Sequence, residues 1–155
     1  MIRKAVADDI PAMVALSDRD RTHREKVDPE FFRKSPAGAE FQAYFFKTQL
    51  ESDRIIAAVD EDAGQLHGFV IATIMQAPPI YDPGGLTVLI DDFTVADENE
   101  WNSVGVALLE HVKTEGRARG AVGLVTICAR GDDLKHRWLE EIGTRIVSEW
   151  HFLRL

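Results

Sequence analysis

Two adjacent carboxylates, Asp91 and Asp92, stand in a strand-like run, Leu86–Val95, that leads through a short acidic loop to a helix start holding Gly105. A strand that feeds a helix N-terminus in this way can present a row of free backbone N–H groups. Those groups and the helix dipole favour an anion, most often a phosphate. The segment Leu86–Leu109 therefore reads as a phosphate cradle beside a candidate acid/base pair. Alternation with period two places Asp91 and Asp92 on opposite faces of an ideal strand. Both reach one cleft only if the strand bulges there. In the plainer alternative, one Asp caps local backbone groups and the other faces water.

The remaining reactive residues form no second constellation. Cys128 is the single cysteine, so no intrachain disulfide can form, and its apolar run Val122–Ala129 marks it as a buried, inert thiol. His23, His67, His111 and His151 show no metal-ligand spacing, and no metal is expected. Trp101, Trp138 and Trp150 read as core or interface anchors. Tyr81 stands in a Pro/Gly-rich loop, either packed there or facing a substrate.

These residues sit on 155 positions, the length of one domain spanning 1–155. Apolar residues make up 45% and charged residues 28%, an ordinary balance for a globular chain. No apolar stretch approaches the roughly 20 residues of a membrane span, and the N-terminus lacks a signal-peptide core. The expectation is a cytoplasmic protein with no membrane partner. A net charge of −8 disfavours nucleic acid. It suits a cationic small molecule, or serves solubility alone.

The elements follow from period and punctuation. Ile2–Val6 reads as a strand, and Asp8 or Asp9 caps a helix toward Ser17. The charged stretch Asp18–Lys34 reads as a loop or broken helix, and Ser35-Pro36 opens a helix through Leu50. Arg54–Asp60 and Gln65–Met75 form a hairpin around Asp62-Ala63-Gly64. Gln76–Gly85 is a loop, and Glu98–Arg117 is an amphipathic helix. Ala121–Ala129 reads as a buried strand. Asp132 caps a helix over Leu134–Ile142 that Gly143 ends, and Thr144–Leu155 closes the chain as a strand. This order predicts an α/β sandwich, with a central mixed sheet of six to seven strands and helices on both faces. The unit from Leu86 to Ala129 predicts a parallel pair joined by a right-handed crossover.

The segment IDDFTV, followed eight residues later by SVGVALL, together with the element order, resembles the GNAT superfamily of acyl-CoA-dependent N-acetyltransferases. It is most similar to the diamine and polyamine type, whose strand carries two carboxylates before a Phe. SEWHFLRL is similar to that type's final strand. The resemblance implies that the fourth and fifth strands splay and that acetyl-CoA lies in the V between them. Phe93, Thr94 and Val95 would then hold its acetyl-pantetheine end, and amides of Asn102, Ser103, Val104, Gly105 and Val106 its pyrophosphate. Asp132 occupies a position that contacts the cofactor arm in the family, and is equally a helix N-cap. Arg130, Lys135, Lys113, Arg117 and Arg119 would either approach the nucleotide phosphate or remain solvated surface charges. The phosphate-loop motif is degenerate. Glu100 stands where the family has Gln or Arg, Ser103 replaces a glycine, and Leu139 replaces a general-acid Tyr, with His136 one turn earlier.

The implied reaction is acetyl transfer from acetyl-CoA to a primary amine of a small acceptor, by direct attack in a ternary complex. An alkylammonium must lose a proton before it attacks, so a base is needed. Asp91 aligns with the family's base, and Asp92 would hold a cationic acceptor. Tyr81 would be either an acid in place of the missing Tyr, a role open to His136 as well, or a residue of the acceptor loop. Homodimers are frequent in the family, so a second copy is an expected partner. The alternative is a chain that keeps the fold, has lost catalysis, and serves as an acyl-CoA-binding or protein-interaction module.

Overall fold

The runs read as strands pair into one mixed sheet, described here for residues 1–155 from a computed structural model. The chain forms β1 (Ile2–Lys4), a 3-10 turn (Ala7–Asp9), α1 (Ile10–Val27), α2 (Gly38–Leu50), β2 (Ile55–Asp62) and β3 (Gln65–Met75). There follow β4 (Leu86–Val95), a second 3-10 turn (Glu98–Asn102), α3 (Val104–Ala118), β5 (Ala121–Thr126) and α4 (Asp133–Glu141). The sheet runs β1-β2-β3-β4-β5. Its first three pairings are antiparallel, and β4 pairs with β5 in parallel through the α3 crossover. Ala63 and Gly64, both at positive φ, close the β2–β3 hairpin as its short loop requires. No helix is long and apolar enough to cross a membrane.

Strand alternation divides the core in two. Ala58, Val70, Ala72, Val88 and Ile90 face α3 and α4 and pack on Val104, Leu108, Val112 and Trp138. Ala57, Val59, Phe69 and Ile71 face α1 and α2 and pack on Met13, Leu16 and Phe46. Helices thus cover both faces, as the interleaved pattern predicts. The start of α1 is pinned by charge. Asp9, buried, accepts two bonds of 2.7 Å from the Arg3 guanidinium and one of 2.8 Å from the Val6 amide. The Arg3 bonds, with the Val6 amide, hold the Asp9 carboxyl below its usual range against the effect of burial.

Three expectations change. The charged stretch Asp18–Lys34, read as a loop or broken helix, is helix in its first part, where α1 continues to Val27, and turn over 28–34. Ion pairs at helical spacing, Arg21 with Asp18 and Arg24 with Asp20, together with Lys34 folding back onto Asp18, stabilise that extension. β5 is not a buried central strand. It pairs only with β4, and Val122 and Val125 are exposed on it. The closing segment 144–155 forms no strand, so the sheet has five strands, not six or seven. Its β-branched and aromatic residues supply propensity but find no partner strand, and propensity without a ladder does not make a strand. Phe152 packs its ring 5.4 Å from that of Phe31, and Arg154 bonds Glu30 at 2.8 Å.

The approach of α3 to the sheet depends on Gly68 in β3. A Cβ there would lie 2.8 Å from Val104 Cγ1, 2.9 Å from the Thr94 carbonyl oxygen and 3.1 Å from Leu108 Cδ1. The Thr94 oxygen is backbone and cannot swing away. Gly68→Ala should therefore destabilise the fold by about 1–3 kcal/mol. Urea unfolding checks this, and an unchanged midpoint would contradict the close packing.

Candidate functional site

The two carboxylates owe their placement to one extra residue in β4. Opposite β3, Asp92 pairs with Ile71 and Ile90 with Ala72, which leaves Asp91 without a partner. This is a β-bulge, with two residues opposed to one. Val88 and Ile90 point toward α3 before it, and Phe93 and Val95 point the same way after it. Asp91 and Asp92 fall together in the gap, on the face of α1 and α2. The β4–β5 ladder ends at the adjacent pair, Ile90 with Thr126. The carboxylates therefore stand where the two parallel strands separate.

Their surroundings disfavour ionisation. Asp91 is exposed, but partial burial of its carboxyl still pushes it above its ordinary range, with the Thr73 side chain acting in the opposite sense. Deeper burial raises Asp92, with Asp91 adding to the effect and Arg24, Lys135 and Arg21 opposing it. Gln42 Nε2 donates to Asp92 Oδ1 at 3.3 Å. A cavity of about 170 Å³ opens beside Asp92, lined by Ser17, Asp20, Arg21, Arg24, Gln42 and Thr94 among others. Thr94 Oγ1 donates to Asp20 at 3.0 Å across it. A carboxyl with a raised pKa on the wall of a polar cavity, as Asp92 is, can accept a proton from a bound amine, and Asp91 stands exposed beside it in the chain.

The other side of the strand separation is filled. Lys135, in the first turn of α4, is 2% exposed and donates from Nζ to the Phe93 carbonyl oxygen at 2.8 Å. Its ammonium also lies 5.4 Å from the Phe93 ring centre and 5.2 Å from that of Trp101. Burial pushes its pKa below the usual lysine range. Trp101 and Trp138 stack with centres 4.9 Å apart, and Phe93 meets both edge-on. Trp138 Nε1 and Thr126 Oγ1 are buried with no hydrogen-bond partner. Burying an ammonium costs several kcal/mol. One charged hydrogen bond and two aromatic faces, each worth about 2 kcal/mol when dry, offset much of that.

The loop before α3 is turned inward. Asp97 caps the 3-10 turn by accepting from the amide and side chain of Asn99. Trp101 is buried, and a Cβ on Gly105 would meet its ring at 2.7 Å. Gly105 is thus explained by packing against Trp101. Ser103 Oγ is committed to the Glu100 carbonyl oxygen at 3.2 Å, and Glu100 turns to His67 at 3.5 Å. Asn102 and Ser103 are exposed, Val104 is buried and Val106 is half-buried. The edge of β4 beyond Ile90, which β5 leaves unpaired, is where a pantetheine arm would pair, but Lys135 already holds the Phe93 carbonyl there. The arm does not fit the V in this conformation, because Lys135, Trp101 and Trp138 occupy it.

Other residues singled out in the sequence are scattered. Asp132 caps α4, accepting from the Lys135 amide at 3.2 Å. Tyr81 is exposed in its loop and Leu139 is buried in the core. Burial pushes the Cys128 thiol up to about 11, so it stays protonated near neutrality. Sequence reasoning missed Ser17, Asp20, Arg21, Arg24 and Gln42, and treated Lys135 as a surface or nucleotide-phosphate charge. The first four carried a signal: at spacings of three and four they form one face of a helix, had the charged stretch been read as helix.

Because the folded state binds the Asp92 proton more tightly than the unfolded chain, this group lowers stability as pH rises from its ordinary value, 3.8, through the raised one. Asp92→Asn should remove that penalty while retaining the bond to Gln42. Its melting temperature should exceed the parent's at pH 7, by about 2–4 °C per kcal/mol relieved, and the gap should close below about pH 4. Scanning calorimetry across that range checks both points.

No protein-family model and no curated protein sequence matches the chain. Solved structures match it in shape. A variant of the BH1408 protein from Bacillus halodurans aligns with a TM-score of 0.86 at 18% identity, over 100% of this chain and 99% of that one. A predicted acetyltransferase from Clostridium acetobutylicum, solved with acetyl-CoA, aligns at 0.75 with 17% identity, over 99% of this chain and 95% of that one. An aminoglycoside N-acetyltransferase in complex with CoA aligns at 0.70 with 15% identity, over 100% and 98%. The chain thus has the GNAT-type α/β fold, the fold of the two acetyltransferases it aligns with.

Proposed function

We propose that the chain is an acyl-CoA-dependent N-acetyltransferase acting on a primary amine. The observation that carries this reading is the bulge at Asp91, which sets two proton-accepting carboxyls at the point where β4 and β5 part. The acceptor amine approaches from the cavity beside Asp92. Asp91 or Asp92 takes its proton, and the free amine attacks the thioester carbonyl. The nitrogen–carbon bond forms as the carbon–sulfur bond breaks, and the second proton shed by the nitrogen passes to the departing sulfur, whose thiol pKa near 8.5 lets it leave without a separate acid. Entry of acetyl-CoA requires Lys135 to leave the Phe93 carbonyl and the Trp101–Trp138 stack to open.

A second reading is favoured by that same filling. If Lys135 and the two indoles never yield, the chain is a GNAT-fold interaction module without catalysis. Glu100 and Ser103 in the loop point the same way.

Two measurements decide between them. Titration calorimetry should show acetyl-CoA binding with a Kd below about 1 mM. A Trp150→Phe background should then report the opening as a change in the fluorescence of Trp101 and Trp138. No heat and no fluorescence change at millimolar acetyl-CoA would select the module. Lys135→Ala, which frees the Phe93 carbonyl and empties space in the V, should tighten acetyl-CoA binding about tenfold. An unchanged affinity would show that Lys135 is not what obstructs the arm.

A second test concerns the base. Asp91→Asn and Asp92→Asn should each lower kcat/KM, and the parent's kcat/KM should rise with pH through a carboxyl ionisation above the usual range. A flat profile between about pH 5 and 8 would remove the carboxylates from the proton transfer.

A further inference from the structure

We infer that the cavity beside Asp92 takes a small zwitterion, a molecule carrying both a primary amine and a carboxylate, of the amino-acid class. The inference rests on the acetyltransferase reading for the fate of the amine, but the binding claim stands on the cavity alone. Its lining carries two carboxylates, Asp20 and Asp92, and two guanidiniums, Arg21 and Arg24. The charges balance, so a diamine would bring two uncompensated positive charges, whereas a zwitterion brings none.

The cations are underused by the protein. The one carboxylate within 4 Å of Arg24 is Asp20, at 3.9 Å, too long for a hydrogen bond. Arg21 reaches only Asp18, at 3.4 Å, and that carboxylate is already held by Lys34 at 2.8 Å. Both guanidiniums therefore keep donors for an anion, and their planar fork matches a carboxylate. Arg21, Arg24 and Asp20 all come from α1 and Asp92 comes from β4, so the helix side carries a net positive charge and the strand side a negative one.

Two further groups point to an occupant. Ser17 Oγ and Gln42 Oε1 are buried and have no hydrogen-bond partner, and both residues line the cavity. Ser17 is only 4% exposed. A buried polar group left unpaired is costly, and a ligand's carboxylate or ammonium could pair with such groups. The cavity, of about 170 Å³, has room for a small amino acid. The amine end is then set toward Asp92, and the carboxylate end toward Arg24 and Arg21.

Matched pairs that differ by a carboxylate test this directly: L-alanine against ethylamine, L-serine against ethanolamine, and L-lysine against cadaverine. Binding is read by titration calorimetry without acetyl-CoA. At least one amino acid should bind at least tenfold more tightly than its decarboxylated partner. Arg24→Gln should abolish that preference and Arg24→Lys should restore part of it, with circular dichroism confirming that both variants are folded. Equal or tighter binding of the amines, a preference unaffected by Arg24→Gln, or no binding by any amino acid would overturn the inference. Acetyl-CoA is titrated separately. If it binds and the amino acids do not, the acceptor class is wrong and the acetyltransferase reading survives. If the amino acids bind and acetyl-CoA does not, the cavity assignment survives and acetyl transfer is lost.

Discussion

The inserted residue in β4 sets the direction of everything around it. A strand without a bulge would send Asp91 and Asp92 to opposite faces and would keep Ile90 and Phe93 out of the same core. With Asp91 unpaired, the hydrophobic parity of the strand resets, so that Val88, Ile90, Phe93 and Val95 all feed the layer under α3. The two carboxyls are released together toward α1 and α2. The bulge adjoins the last β4–β5 pair, and a bulge increases local twist. The loss of pairing beyond Ile90 and the exposure of the Phe93 carbonyl to Lys135 fit that geometry.

Two halves of one cleft result, and they differ in character. On the α1 side the cleft is open, polar and charge-balanced, with unpaired side-chain atoms in its wall. On the α4 side it is dry and aromatic, with an ammonium clamped between two rings and a carbonyl. A buried, unneutralised lysine is a poor way to gain stability, because an apolar side chain of similar length would fill the space without the desolvation cost. Its hold on a strand carbonyl is the kind of contact that a competing amide can replace. The stack of Trp101 on Trp138 adds a hydrophobic contribution to the same closure.

Net charge is a weak guide to what such a cleft binds. The chain as a whole is strongly acidic, and that long-range field favours cations. Within a few ångströms of Asp92 the balance is different, because α1 delivers Arg21 and Arg24 to the same cavity. Local desolvated charges outweigh screened distant ones at this range, since the Debye length at physiological salt is only about 8 Å. The acidic surface and the amphoteric cavity therefore describe different scales of one molecule.

The sequence by itself determined the layered α/β class, the extent of β4, the hairpin turn at Ala63-Gly64 and the crossover that makes β4 and β5 parallel. These follow from short-range period and turn chemistry, which are properties of neighbouring residues. It also marked Asp91 and Asp92 and stated the condition, a bulge, under which they could act together. Only the tertiary structure decided that condition, because a bulge is a mismatch between two strands and β3 is needed to define it. The same holds for Lys135, whose burial depends on Phe93 and Trp101 from distant segments, and for Gly105, which faces an indole. The closing strand-like segment shows the converse: residues 144–155 have the composition of a strand, but a strand exists only when another edge receives it. The charged half of α1 is hard to tell from a loop in the sequence because its polarity masks the helical spacing. Contacts across the fold, with Lys34 returning to Asp18 and the Val95 and Ala96 carbonyls accepting from Arg19, hold it as helix.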